Sequence, residues 1–207
     1  MIKELIFTGT FTQGGFMFKS LIVAAALVIS TTAQATNSAA KFLFAGQIQQ
    51  IQETVVSQGL NWKVGDENNY KLSIGGFLNG TMKMYVRDIG PDDLWMVQDI
   101  DLSIQKQKVE ALLDINTGEL KKLLVNGEEQ ELPKADFEIV EQKEATVTVK
   151  AGTFKTIYLK IKDNSQNGAI SEQWVNPRDI PLSGMAKSVA DSQIGKVNIE
   201  LTSFKRN

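Results

Sequence analysis

A chain of 207 residues with no cysteine, no histidine and a formal charge of −2 has no disulfide, no thiolate or imidazole metal ligand and no thiol nucleophile. Serine triads and zinc-hydrolase sites therefore fall by inventory, and so does a lipoprotein anchor, since there is no cysteine to acylate. Lys and Glu interleave, as they do over 138–150, without the basic patch that nucleic acid or an anionic bilayer selects, so neither is an expected partner.

The first element is an export signal over residues 17–35. Lys19, the apolar run Leu21 to Ile29 and the small-x-small series Ala33-Gln34-Ala35 follow the order that export machinery reads, with cleavage expected after Ala35. The run is too short to span a bilayer, which takes roughly 20 residues, so no membrane span is expected. A buried N-terminal strand is the alternative reading of the same run. Residues 1–16 mix Leu5, Ile6, Phe7 and Phe11 with Glu4 and three glycines, a poor start for a signal, and are read as an upstream extension that is not translated; Met17 is then the start. Cleavage leaves residues 36–207, a length that suits one domain, in the periplasm or outside the cell.

Residues 36–59 are expected to form an N-terminal α-helix. Phe44, Ile48, Ile51 and Val55 make an apolar stripe backed by Gln47, Gln49, Gln50, Gln52 and Glu53, and Gly59 suits a left-handed cap. A stripe this narrow should pack against a sheet.

From Trp62 onward, over the β domain of residues 60–207, the period becomes two. Met82, Met84 and Val86 alternate with Lys83, Tyr85 and Arg87, and Ile157, Leu159 and Ile161 alternate with Tyr158, Lys160 and Lys162. Both read as strands with one wet face. Further strands are expected at about 68–77, 93–104, 107–113, 119–125, 129–132, 136–142, 145–150, 169–175 and 196–204. Asn126-Gly127 favours a type I′ hairpin, because both residues tolerate positive φ. Gly75-Gly76 and Gly80 mark bulges or bends. Residues 178–195, with Pro181 and Gly184, read as loop around a short apolar run.

These turns leave no room for crossover helices, so the sheet is antiparallel. About ten strands cannot stay flat. The expected fold is mainly β: a strongly curved sheet or half-barrel with one N-terminal helix, a closed calycin-like barrel or a sandwich being the alternatives.

An ordered series in the second half carries a resemblance. It runs Ala151-Gly152-Thr153-Phe154, Trp174-Val175-Asn176-Pro177, Pro181-Leu182-Ser183-Gly184 and Glu200-Leu201-Thr202-Ser203. It resembles uncharacterised exported bacterial β-rich proteins with an AGTF, WVxP, PLxG, ELxS series, a group similar in fold to the half-barrels of periplasmic lipoprotein carriers. The resemblance covers roughly residues 60–204 and implies an incomplete barrel with an apolar concave face. It brings no catalytic motif, and fold alone does not fix function.

Acidic pairs are the remaining enzyme candidates, since two carboxylates about 5 to 9.5 Å apart can hydrolyse a glycoside without histidine. Asp92-Asp93 occupy a turn, however, and Asp99 and Asp101 share a strand face, where carboxylates are ordinarily solvated. Calcium held by Asp99, Asp101 and Asp114 lacks the dense spacing of a calcium loop. No catalytic residue, metal or cofactor is assigned. The ligand-binding candidates are Met82, Met84, Trp95, Met96, Trp174 and Met185, because flexible thioethers suit varied apolar partners; core packing explains the same residues, and for Trp174 a cap on the core. The sequence thus points to a non-enzymatic carrier of a lipid or lipidated peptide, or to an envelope component that docks onto a protein partner.

Overall fold

The computed structural model describes residues 61–207, apart from 104, 133–135, 165–167 and 193–194. The expected signal, its cleavage point and the helix of 36–59 lie outside the described residues. Eleven strands follow in order: β1 (Glu67–Ile74), β2 (Leu78–Ile89), β3 (Asp93–Leu102), β4 (Gln105–Asp114), β5 (Leu120–Val125), β6 (Glu128–Gln130), β7 (Phe137–Val149), β8 (Gly152–Asp163), β9 (Ala169–Val175), β10 (Met185–Ser192) and β11 (Gly195–Lys205). They form one antiparallel sheet, ordered β6-β5-β4-β3-β2-β1-β11-β10-β9-β8-β7. Among the described residues no helix is long and apolar enough to cross a membrane.

Two boundaries differ from expectation. Residues 137–149 are one strand rather than two, because Lys143 and Glu144, where a break was expected, pair with Tyr158 and Ile157 in an unbroken ladder; the irregularity lies instead at a bulge at Val140. Residues 185–192 are a strand where a loop was read, since Pro181 and Gly184 end before it begins. The Asn126-Gly127 hairpin has φ of 52° and 85°, as its type I′ chemistry requires. Gly75-Gly76 form the β1–β2 turn with φ of 59° and 78°.

The connection between β6 and β7 sets the curvature. These are the two edges of the sheet, and only residues 131–136 join them, so the chain reaches at most about 25 Å from Gln130 to Phe137. Eleven flat strands would set the edges about 48 Å apart. The sheet is therefore rolled. On one side the roll is tight enough that the Ala151 amide, in the β7–β8 turn, donates to the Leu201 carbonyl on β11 at 3.3 Å, and Phe154 meets Phe204 at 6.1 Å between ring centres. The edges do not pair with each other, which leaves an open roll rather than a closed barrel or a two-sheet sandwich.

Strand alternation puts one apolar set inside this roll. Tyr70, Leu72 and Ile74 on β1, Leu94 and Ile100 on β3, Val109 and Leu113 on β4, and Val197, Ile199 and Leu201 on β11 are all buried there. Each such side chain contributes roughly 1.5–3 kcal/mol. A domain without disulfides is held by this core and by its ladders.

Candidate functional site

The inner face brings the methionines together. Met82 and Met84 lie on β2, where Met82 pairs with Ile100 and Met84 with Gln98, and Met96 on β3 sits opposite Val86. Met185 opens β10 opposite Val175. All four are at most 1% exposed, so they line a closed core and not an open cleft.

The tryptophans are elsewhere. Successive residues of a strand point to opposite faces, so Trp95 is turned away from Met96 and sits on the outer face under the Arg87 guanidinium, 4.6 Å from its ring centre. Trp174 packs edge-on against Tyr158, at 5.2 Å between ring centres, beneath the Lys187 ammonium. It does not cap the core. The expected single surface of Met and Trp is thus two surfaces on opposite faces of one sheet.

A polar node missing from the sequence reading holds the mouth of the inner face. The Asn68 side-chain amide donates to the Tyr70 hydroxyl at 3.0 Å and to the Pro181 carbonyl at 2.8 Å, and the Tyr70 hydroxyl donates to the Met185 carbonyl at 3.2 Å. Burial pushes the Tyr70 hydroxyl up to about 12, against hydrogen bonds from Ser183 and Asn68 that pull it down. Asn68 Oδ1 has no hydrogen-bond partner among the described residues. These contacts fasten the β9–β10 connection, residues 176–184, whose Ile180, Leu182 and Ser183 are buried.

A buried connection must satisfy its own backbone, and this one does so through Asn176. Its amide donates to the Gly184 carbonyl at 2.7 Å, its side chain donates to the Lys155 carbonyl at 2.9 Å, and its side-chain oxygen accepts from the Asp179 amide at 2.9 Å. Leu182 has φ of 58°, an uncommon conformation for a branched side chain. The only sequence signal for the node was the punctuation Pro181…Gly184, which announces a turn and not its burial.

The carboxylate candidates do not converge. Asp99 and Asp101 lie on the outer face, opposite Lys108 and Lys106, with Asp101 ion-paired to Lys106 at 3.0 Å. They border a cavity of about 600 Å³. Asp114 closes the β4–β5 turn instead, accepting from the Asn116 and Thr117 amides at 2.8 and 3.0 Å; its bond with Lys121, and then those amides, hold its carboxyl down at about 2. Asp114 lies six positions along β4 from Lys108, the partner of Asp99, about 20 Å, so the three aspartates form no calcium site. Among the described residues no group of three His, Cys, Asp or Glu is placed to hold a metal.

No known protein family and no curated protein matches the chain. Among solved structures it is similar to one described as the crystal structure of MucB, at 10% identity and a TM-score of 0.40, over 78% of this chain and 57% of that one. The chain thus spans little more than half of that protein's length. It is also similar to a redesigned β-barrel, mFAP0, bound to DFHBI, at 10% identity and a TM-score of 0.25, over 65% of this chain and 93% of that one.

Proposed function

We propose that this chain is an exported, non-catalytic binding module that takes an apolar ligand, a lipid or lipidated peptide, against the inner face of its rolled sheet. The observation that carries the reading is the unsealed seam: β6 and β7 are brought within reach of six linking residues, yet share no ladder. Among the described residues, opening there breaks no ladder between β6 and β7. Leu132 and Val140, each 45% exposed, flank the two edges. The inner face carries Met82, Met84, Met96 and Met185, whose unbranched side chains repack around varied shapes at small cost. Because these methionines are buried, the ligand enters as the face opens and takes over contacts the core makes with itself. Export rests on the signal-like residues 17–35.

Native mass spectrometry of the full chain purified from its own host tests this reading. An apolar adduct that is released on denaturation is expected; a clean apo mass, with no uptake of added lipid, contradicts it.

A second reading, docking onto an envelope protein without any small ligand, is favoured by β7. It is an edge strand of 13 residues, and its unpaired backbone row is a template for strand addition. A stable protein partner in a pull-down that is lost when proline replaces Gln142 supports it.

A further inference from the structure

The outer face holds a cavity whose polar side chains stand on the opposite side of the strands from the apolar core. The cavity of about 600 Å³ there falls in the size range of small-molecule sites, about 300–1,000 Å³; its walls come from β1, β2, β3, β4, β11 and the β5–β6 turn, and the polar side chains the argument uses are Thr81, Lys83, Asp99, Asp101, Lys108 and Asn126. Their arrangement follows from register. Lys83 pairs with Asp99 and Asp99 with Lys108, while in the neighbouring row Thr81 pairs with Asp101 and Asp101 with Lys106. Donors and acceptors therefore alternate across three strands. Glycine at position 80 is part of this geometry, since a Cβ there would lie 2.4 Å from the Asp101 carbonyl oxygen.

The charges cancel. Lys106 is bound to Asp101 at 3.0 Å, and Lys83 to Glu67 at 2.7 Å, which leaves Lys108 against Asp99. No net field selects an anion or a cation, and one aromatic ring stands beside the row, that of Tyr85, 5.4 Å from the Lys83 ammonium. What the walls do offer is uncommitted hydrogen bonding. Among the described residues the Thr81 hydroxyl, the Lys108 ammonium and the Asn126 side-chain NH₂ make no hydrogen bond. Asn126 is nevertheless fixed in place: its amide donates to the Lys108 carbonyl at 2.8 Å and its Oδ1 accepts from the Lys108 amide at 2.9 Å, which aims the NH₂ without spending it. Asp99, which also faces the Tyr85 hydroxyl, supplies the acceptor between them.

We infer that this cavity binds a neutral, hydroxyl-rich ligand, a saccharide. A sugar hydroxyl donates and accepts at once, so vicinal hydroxyls match a wall in which a carboxylate stands between an ammonium and a carboxamide. The C–H face of a pyranose lies along the aliphatic stems of Lys83 and Lys108, which carry their charges at the tips. The aspartates that suggested glycosidase chemistry from the sequence are then recognition groups.

An array of neutral oligosaccharides, with uronate-bearing and phosphorylated glycans alongside, probed with the full chain and followed by calorimetric titration of the best neutral ligand, tests the inference. Retention of neutral glycans is expected, with affinity falling at least tenfold in Asp99→Asn and in Lys108→Ala but unchanged in Glu138→Ala, an exposed substitution on β7. All three sites are on the surface, and an unchanged thermal midpoint checks that each variant folds. Retention of charged glycans alone, retention of none, or a loss below tenfold in both site variants overturns it. None of these outcomes decides the apolar reading, because the Asp99 and Lys108 side chains stand on the outer face and the methionine side chains on the inner one.

Discussion

Arg87 and Glu110 meet across the strand that separates them. They stand on β2 and β4, and the Arg87 guanidinium crosses β3 above the Trp95 ring to form an ion pair with Glu110. Glu110 is 8% exposed, so little water competes with the guanidinium for its carboxylate. Arg87 is wetter, with 41% of its side-chain surface exposed, which limits the gain to the range of partly screened pairs.

A double-mutant cycle on these two residues should therefore give a coupling of roughly 0.5–1 kcal/mol. Glu110→Ala alone should cost about 1–2 kcal/mol, because the stacked guanidinium loses its acceptor. Urea unfolding followed by tryptophan fluorescence reads both. Additive single mutants would show that Arg87 is held by the indole alone.

Tyr70 gives the fold an alkaline limit. Its hydroxyl titrates at about 12 in the folded chain, against 10.0 ordinarily. Between these values the unfolded chain loses a proton that the folded chain keeps, so stability is fully present below pH 10 and declines as pH rises toward 12. The loss should be on the order of 2–3 kcal/mol. Tyr70→Phe should flatten that decline in unfolding free energies measured from pH 9 to 12, although it also removes the bond to Met185.

The β9–β10 connection should be intolerant of small changes. Gly184 has φ of 68°, and a Cβ there would stand 2.7 Å from the backbone of Pro177. Gly184→Ala should cost upward of about 2 kcal/mol. Asn68→Ala removes the buried amide that donates to the Pro181 carbonyl and to the Tyr70 hydroxyl, leaving the carbonyl only the Gly184 amide at 3.2 Å, and should cost about 1 kcal/mol. Hydrogen exchange should localise both losses to residues 176–184; protection lost evenly over the sheet would mean that the connection is not a separate unit.

The strands with strict alternation were legible. Met82, Met84 and Val86 against Lys83, Tyr85 and Arg87 specify both the strand and its buried face, and Asn126-Gly127 specifies its turn. β10 was not, because Met185-Ala186 and Ser188 carry little contrast and the preceding Pro181 and Gly184 signal a break. The pairing of β1 with β11 joins the two ends of the described chain, and no local pattern reports so distant a contact. Roll or flat sheet likewise depends on which strands become edges. The grouping of Trp95 with Met96 failed for a reason the sequence does contain: neighbours on a strand cannot share a face. The outer-face cavity needed three strands in register before Lys83, Asp99 and Lys108 formed a row.

Exchange of the inner methionines separates binding from packing. Met84→Leu and Met96→Leu conserve volume and should each change stability by less than about 1.5 kcal/mol, yet a branched, stiffer side chain should weaken uptake of long acyl chains several-fold. Fluorescent fatty-acid titration reads this. Equal affinity in both variants would remove the methionines from the binding account.

The central claim is that the ligand lies against the inner face, and the alternation of the strands makes that claim testable at single-residue resolution. A photoreactive diazirine fatty acid, cross-linked to the full chain and mapped by residue-level fragmentation, should label Met82, Met84 or Met96 and spare Trp95 and Trp174. Labelling confined to the outer-face tryptophans, or no labelling above that of the heat-unfolded chain, would contradict it.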